Sequence, residues 1–112
     1  MKNYALKWLL QRVTAAILIP LTFWFIYSAI SLSKMEYYET INFFQSYLNS
    51  SLFYIMMITM LLHGKLGLQT VIDDYVTSKK ILTTSKWIIN LIAYSVMIIV
   101  TFFILKTLIT NV

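Results

Sequence analysis

The sequence predicts an all-α integral membrane protein with three transmembrane helices, and two observations support that prediction. Hydrophobic residues make up 60% of the 112-residue chain, and a soluble domain of this length cannot bury so much apolar surface. Three stretches contain no charged residue, and each reaches or approaches the length of about 20 residues that crosses a bilayer as a helix. They are 13–33, 40–64 and 87–105. We expect a single membrane-anchor domain, 1–112, that forms part of a larger helix bundle.

The first predicted span covers 13–33 and follows a short N-terminal segment that contains three basic residues, Lys2, Lys7 and Arg12. Trp8 lies among them, as aromatic residues at a membrane interface do. Pro20 lies within the span and has no backbone N–H, so we expect a kink in the helix just before it.

The second and third predicted spans, 50–72 and 87–105, are bounded by two loops of different character. The first loop, 34–47, is rich in aromatic side chains and suits a segment that lies along the membrane interface. The second loop, 73–86, contains three lysines. The chain has six methionines, and we expect them to pack against lipid and neighbouring helices rather than to bind metal.

The distribution of basic residues predicts the orientation in the membrane. The N-terminal segment and the second loop together carry six lysine and arginine residues, whereas the first loop and the C-terminal tail carry two. Because basic segments stay on the cytoplasmic side, we expect the N-terminus in the cytoplasm or the mitochondrial matrix. The membrane is then a bacterial inner membrane or the mitochondrial inner membrane, and the minimal N-terminus favours the mitochondrial alternative.

The composition excludes several classes of function. The chain has no cysteine, which excludes disulfides, thiolate metal sites and cysteine-ligated iron–sulfur clusters within it. Its net charge of +5 comes mainly from residues at the ends of the spans. Basic residues in those positions act as topology signals and lipid anchors, so the charge does not indicate binding to nucleic acid.

The only histidine, His63, lies inside the second apolar stretch and begins a polar stripe. With about 100° of rotation per residue, Gly67, Thr70 and Asp74 fall within about 40° of His63 on the helix surface, and Tyr75 lies on the adjacent flank. The rise from His63 to Asp74 is about 17 Å. The histidine is therefore expected near the middle of the membrane, with Asp74 and Tyr75 at the cytoplasmic boundary.

Each residue of this stripe has a chemical use. Imidazole is a strong axial ligand for haem iron. Gly67 allows a flat macrocycle, or another helix, to approach the backbone closely. The Tyr75 phenol can donate a hydrogen bond to a quinone carbonyl, while the Asp74 carboxylate can orient that phenol or relay protons.

Simpler interpretations remain open for the same residues. An intramembrane histidine can form a structural hydrogen bond between helices, or it can transfer protons. Gly67 can be a notch for helix packing, and the Asp74–Tyr75 pair can mark the end of a helix at the interface. Lys65 points almost opposite to His63, where it can extend towards the headgroups or face a partner subunit.

Two segments of the chain resemble those of a known family. The string from His63 to Val76, HGKLGLQTVIDDYV, has a glycine four residues after the histidine and an Asp-Tyr pair eleven and twelve residues after it. The string from Trp8 to Ala15, WLLQRVTA, is similar to the start of that family's first helix. In a three-span chain of this length, the two segments together resemble the small hydrophobic membrane anchor of succinate dehydrogenase, which is respiratory complex II.

The resemblance implies an anchor that is not catalytic by itself and that helps to pass electrons from succinate, in the tricarboxylic acid cycle, to the quinone of the respiratory chain. It implies a haem b shared with a second membrane anchor, the cytochrome b subunit, with His63 as one axial ligand of the haem iron. Tyr75 would bind ubiquinone with support from Asp74, and Arg12 would lie near a haem propionate or the quinone pocket. A flavoprotein subunit and an iron–sulfur subunit would supply the electrons from the cytoplasmic or matrix side.

The N-terminal region departs from the family pattern in one place. Many relatives in the family have a histidine or a pair of histidines just before the tryptophan, where this chain has Leu6 and Lys7 before Trp8. Arg12 also fits a simple topology anchor. However, Gln11 and Thr14 beside it form a polar cluster richer than anchoring needs, which favours a role for Arg12 in a cofactor pocket.

Two other functions remain open. The first is an anchor subunit of a fumarate reductase, which has the same general architecture and runs the opposite net reaction. The second is a structural or assembly subunit of another respiratory or transport complex, in which His63 only bonds between helices. A quinone of low potential favours the first alternative, and absence of haem favours the second.

Overall fold

The structure is a computed structural model that describes residues 4–109. It contains four α-helices, α1 (Tyr4–Leu32), α2 (Tyr37–Gln45), α3 (Tyr47–Tyr75) and α4 (Lys79–Ile109), and no strand occurs within that described range. The helices α1, α3 and α4 are long and apolar enough to cross a membrane. The predicted all-α fold with three membrane helices is therefore confirmed. Lys2, one of the predicted orientation signals, lies outside the described residues.

Helix α1 begins well before the uncharged stretch that marks the predicted span. It starts at Tyr4 and carries Lys7 and Arg12 within its first turns. Lysine and arginine are good helix formers, and no proline or glycine interrupts this segment, so the helix extends beyond the hydrocarbon core into the interface. Pro20 lies inside α1 without ending it.

Helix α3 packs against the other two long helices and against α2. Apart from Met56, the buried side chains of the described residues are small or polar: Thr14, Ser28, Ser50, Thr59, Gln69 and Ala93. Large apolar side chains lie on the outside instead, for example Phe23 and Ile98, which are 73% and 70% exposed. Small and polar contacts between helices, with apolar groups facing outwards, are typical of proteins surrounded by lipid.

The nine-residue helix α2 packs against α3 and α4 and joins the aromatic first loop to the bundle. The Ser46 hydroxyl accepts a hydrogen bond from the Asn49 backbone N–H and caps α3. The Ser50 hydroxyl donates to the Phe44 carbonyl oxygen. The Phe44 ring lies edge-on to Phe53, with 5.1 Å between ring centroids. These contacts hold α2 at the end of the bundle where α3 begins.

The polar contacts between α3 and α4 include three side-chain hydrogen bonds: Tyr54 to Thr101 (2.8 Å), Lys65 to Tyr94 (2.9 Å) and Gln69 to Asn90 (2.8 Å). The Lys65 ammonium also lies 4.7 Å from the centroid of the Tyr94 ring, which is a cation–π distance. Lys65 thus contacts α4 whereas His63 contacts α1. The opposite directions predicted for these two side chains are confirmed, and the neighbour of Lys65 is a helix of the same chain.

Candidate functional site

A cleft of about 540 Å³ opens between α1 and α3 at the end of the bundle where α1 begins and α3 ends. Its walls are Lys7, Trp8, Gln11 and Arg12 of α1, with Leu66, Gly67, Thr70, Asp73 and Asp74 of α3. Helical spacing places the α3 members one turn apart on one face. Three of the predicted site residues, Arg12, Gly67 and Asp74, therefore lie together although they come from different helices.

Charged side chains stand on both walls of the cleft. The Arg12 guanidinium carbon lies 5.2 Å from the centroid of the Trp8 ring, a cation–π arrangement that holds the cation at the wall. Opposite, Asp73 forms an ion pair with Lys86 of α4, with 2.5 Å between Oδ1 and Nζ. No ion pair joins Asp74 to another residue within 4–109. Both acids line the cleft, and they differ because Asp73 is paired with Lys86 of α4.

Gly67 of α3 lies close to the Gln11 side chain of α1. A Cβ atom built at Gly67 would lie 3.3 Å from Nε2 of Gln11, which is tight for a carbon contact. The gap at Gly67 therefore admits the Gln11 side chain of α1. The Gln11 Oε1 atom is buried and has no hydrogen-bond partner among the described residues. A buried polar atom of this kind is one that a bound ligand or water commonly satisfies.

His63 lies one helical turn deeper than the cleft and is oriented by α1. Its Nδ1 atom lies 2.9 Å from the Thr14 hydroxyl oxygen, and Thr14 is only 6% exposed. The contact occupies Nδ1, so Nε2 is the ring nitrogen left for a ligand. An imidazole whose second nitrogen is held by a neighbouring group is the usual arrangement of a metal-binding histidine.

Tyr75, like the deeper His63, is a predicted site residue that does not line the cleft. It is the last residue of α3 and is 82% exposed, and it is absent from the residues that line the cleft. One residue of helical rotation separates it from Asp74, about 100°. The Asp74 carboxylate and the Tyr75 phenol therefore face different directions at the same end of α3.

A bare metal ion does not fit the donor set of this chain. Within residues 4–109, no group of three or more histidine, cysteine, aspartate or glutamate side chains is close enough to hold one. His63 can supply one nitrogen. A haem would bring its own ring nitrogens to the iron, so the single nitrogen of His63 fits a haem better than a bare ion.

The residue that sequence reasoning undervalued is Thr14. The only signal was its place, with Gln11, in a polar cluster on an otherwise apolar helix. Nothing in the spacing along α1 indicates that its hydroxyl meets the histidine of α3. That relation depends on the rotation of two packed helices relative to each other.

The fold and the cleft together define a class: a membrane protein with three candidate spans, one histidine on the span that contacts the other two, and a cleft with charged residues at one end of the bundle. Residues 3–105 match the family described as succinate dehydrogenase/fumarate reductase transmembrane subunit. The match covers most of the chain, and the chain belongs to that family. The resemblance noted from the two sequence segments is confirmed.

Relatives of similar length come from Rickettsia species. The succinate dehydrogenase hydrophobic membrane anchor subunit of Rickettsia bellii (strain RML369-C) is 34% identical over 101 residues, which cover 90% of this chain and 79% of the relative. The same subunit of Rickettsia typhi (strain ATCC VR-144 / Wilmington) is 32% identical over 90 residues, or 80% of this chain and 72% of the relative. That of Rickettsia prowazekii (strain Madrid E) is 32% identical over 101 residues.

These relationships identify the chain as a membrane anchor of the succinate dehydrogenase/fumarate reductase family. A membrane anchor of this family implies partner subunits and a membrane. The rickettsial relatives and the three apolar helices indicate a multi-pass protein of a bacterial inner membrane. They favour the bacterial alternative over the mitochondrial one that the minimal N-terminus suggested.

Proposed function

We propose that this chain is the membrane anchor of a succinate:ubiquinone oxidoreductase, in which it shares a haem b with a partner anchor and forms part of the ubiquinone site. The observation that supports this most is the orientation of His63. Thr14 holds its Nδ1 atom and leaves Nε2 for a ligand, one helical turn from a polar cleft. The anchor is not catalytic alone, because the oxidation of succinate belongs to the subunits that dock on it.

The residues of the chain suit one half of a haem site. When bound, haem b supplies a one-electron redox centre between the iron–sulfur subunit and the quinone. His63 Nε2 would hold the haem from this chain. A second membrane anchor, the cytochrome b subunit, would supply the other histidine of a bis-histidine haem, because this chain has no further histidine. Arg12 at the cleft wall pairs with a haem propionate or lies against the quinone pocket, since a guanidinium binds carboxylates and carbonyl oxygens well.

The residues at the end of α3 suit a quinone headgroup. The Tyr75 phenol is 82% exposed, so a quinone bound between this chain and a neighbouring subunit can reach it. Tyr75 donates a hydrogen bond to a quinone carbonyl oxygen. Asp74 on the cleft wall supports the site, because an unpaired carboxylate beside reduced quinone can relay protons.

The basic residues support an orientation for the complex. Within residues 4–109, five of the eight lysine and arginine residues lie at the end that carries Asp74 and Tyr75: Lys7, Arg12, Lys79, Lys80 and Lys86. By the positive-inside rule this end faces the cytoplasm. The flavoprotein subunit and the iron–sulfur subunit then dock on the cytoplasmic side, next to the proposed quinone site.

The optical spectrum of the purified complex tests the haem assignment. The His63→Ala variant is expected to lose the b-type absorption in the reduced-minus-oxidised spectrum, because an axial ligand is removed. Met60→Ala is the matched control, since Met60 lies on α3 one turn away and is 45% exposed; its spectrum is expected to match the wild type. An unaltered b-type spectrum in the His63→Ala complex would contradict the assignment.

One alternative is an anchor of a fumarate reductase, which the family description also covers. The chain would then contribute to a site that oxidises quinol instead of reducing quinone. Steady-state assays with ubiquinone and with a low-potential menaquinone, run in both directions, distinguish the two. Faster turnover from menaquinol to fumarate than from succinate to ubiquinone would favour the reductase.

A second alternative is a structural or assembly subunit of another respiratory complex. The Thr14–His63 contact favours this alternative, because the contact is a hydrogen bond between two helices and needs no cofactor. A purified complex that contains no haem, and whose Tyr75→Phe variant keeps full quinone reduction, would support this alternative.

A further inference from the structure

We infer that Thr14 is a positioning residue that fixes His63 as the tautomer protonated on Nδ1 and so presents Nε2 as the coordinating atom. This inference rests on the proposed haem role of His63 and adds a residue of α1 to it. It assigns the Thr14 hydroxyl a function in tuning the ligand as well as in helix packing.

The first step is the hydrogen bonding of the Thr14 hydroxyl. Its oxygen lies 2.8 Å from the Leu10 carbonyl oxygen and 3.0 Å from the Gln11 carbonyl oxygen. A hydroxyl has one proton to donate, and a carbonyl oxygen can only accept. If that proton pointed at His63, no proton would lie between the Thr14 oxygen and either carbonyl oxygen, and oxygen atoms this close would repel each other. The hydroxyl therefore donates to the backbone of its own helix, as threonines in membrane helices often do.

The second step is the consequence for the imidazole. With its proton committed to α1, the Thr14 oxygen is an acceptor for His63, and Nδ1 at 2.9 Å must be the donor. A neutral imidazole carries one N–H, so Nε2 holds the lone pair. The tautomer follows from the hydrogen bonds within one pair of helices, without reference to any ligand.

The third step is the effect on coordination. Donation from Nδ1 fixes the orientation of the ring and makes Nε2 a more basic ligand. Thr14 is 6% exposed, so water does not compete for this bond. A more basic axial ligand stabilises ferric iron over ferrous iron, so loss of the bond should raise the midpoint potential of the haem.

The test uses three variants of the chain in the purified complex. Thr14→Val has nearly the same shape but no acceptor, and Thr14→Ser keeps the hydroxyl. Thr107→Val is the matched control, because the Thr107 hydroxyl also bonds to its own helix, at the Phe103 carbonyl oxygen (2.8 Å), while the one histidine contacts Thr14 instead. Haem affinity is measured by transfer to an excess of haem scavenger, and the midpoint potential by redox titration.

Thr14→Val is expected to lower haem affinity about 10- to 100-fold, the range typical for loss of a group that orients a metal-binding histidine, and to raise the midpoint potential. Thr14→Ser and Thr107→Val are expected to keep both quantities near the wild type. If His63→Ala removes the haem while Thr14→Val changes neither the haem affinity nor the midpoint potential, the inferred role of Thr14 is contradicted and the proposed function stands. If His63→Ala keeps the haem, the proposed function itself fails.

A second measurement tests the inference even if the complex with Thr14→Val does not assemble. The chain has one histidine, so ¹⁵N-histidine labelling of the full wild-type chain in detergent, without haem, gives one imidazole. Its NMR spectrum is expected to show the proton on Nδ1. A proton on Nε2 would overturn the inference, because Thr14 would then be the donor.

Discussion

Gln69 Nε2 donates a hydrogen bond to Asn90 Oδ1 over 2.8 Å and joins α3 to α4 near the proposed quinone end of the bundle. Gln69 is only 6% exposed, so neither water nor a lipid headgroup replaces this partner. The bond therefore holds the helix that carries the candidate site against α4.

Gln69→Leu is expected to destabilise the packing of α3 against α4 by about 0.6–2 kcal/mol, the range measured for hydrogen bonds between membrane helices. The cost arises because the Asn90 amide loses its partner inside the bundle. Denaturation of the purified complex in SDS measures it. Thr83→Val, at an exposed site whose hydroxyl bonds only to its own helix, serves as the control and should leave stability unchanged.

The two glycines of α3 should respond differently to alanine. A methyl at Gly67 meets Gln11 Nε2 at 3.3 Å, whereas a methyl at Gly64 meets nothing within 4 Å. Gly64→Ala is expected to stabilise the protein by about 0.5–1 kcal/mol, because alanine is the better helix former, and Gly67→Ala to lose that gain because the Gln11 side chain must shift. The same denaturation assay compares them. Adding Gln11→Ala to Gly67→Ala should remove the difference in stability effect between the two glycine variants. If that difference persists, Gln11 is not its cause.

Asp73 and Asp74 provide a matched pair for the quinone reaction. Asp74→Asn is expected to lower turnover from succinate to quinone by about 10-fold or more, because it removes a carboxylate available for proton transfer. Asp73→Asn breaks the ion pair with Lys86, which at this partly exposed site is worth at most about 1 kcal/mol, and turnover should stay near the wild type. Equal losses in the two variants would contradict a specific role for Asp74.

Tyr75→Phe tests the contact with the quinone. Loss of one hydrogen bond, worth about 1 kcal/mol, is expected to raise the KM for quinone several-fold with little change in stability, because Tyr75 is 82% exposed. Tyr38→Phe, also exposed but on α2 at the other end of the bundle, is the control. An unchanged KM in Tyr75→Phe would remove Tyr75 from the proposed site.

Much of the fold follows from local properties of the chain. Charge-free stretches of sufficient length predict membrane helices wherever they occur. The period of the helix alone places His63, Gly67, Thr70 and Asp74 on one face. Those residues do lie on the side of α3 that faces α1. The extension of α1 through Lys7 and Arg12 was not predicted, because charge marks the edge of the hydrocarbon core and not the end of a helix.

The partners of these residues were decided by tertiary packing. Hydropathy and helical period are properties of a short segment, but the rotation of α1 and α4 against α3 depends on how all three surfaces fit. That rotation brings Thr14 to His63 and Gln11 to Gly67. It also turns Asp73 towards Lys86. A helical wheel can therefore predict that a histidine faces inwards, whereas only the packed bundle shows which hydroxyl holds its second nitrogen.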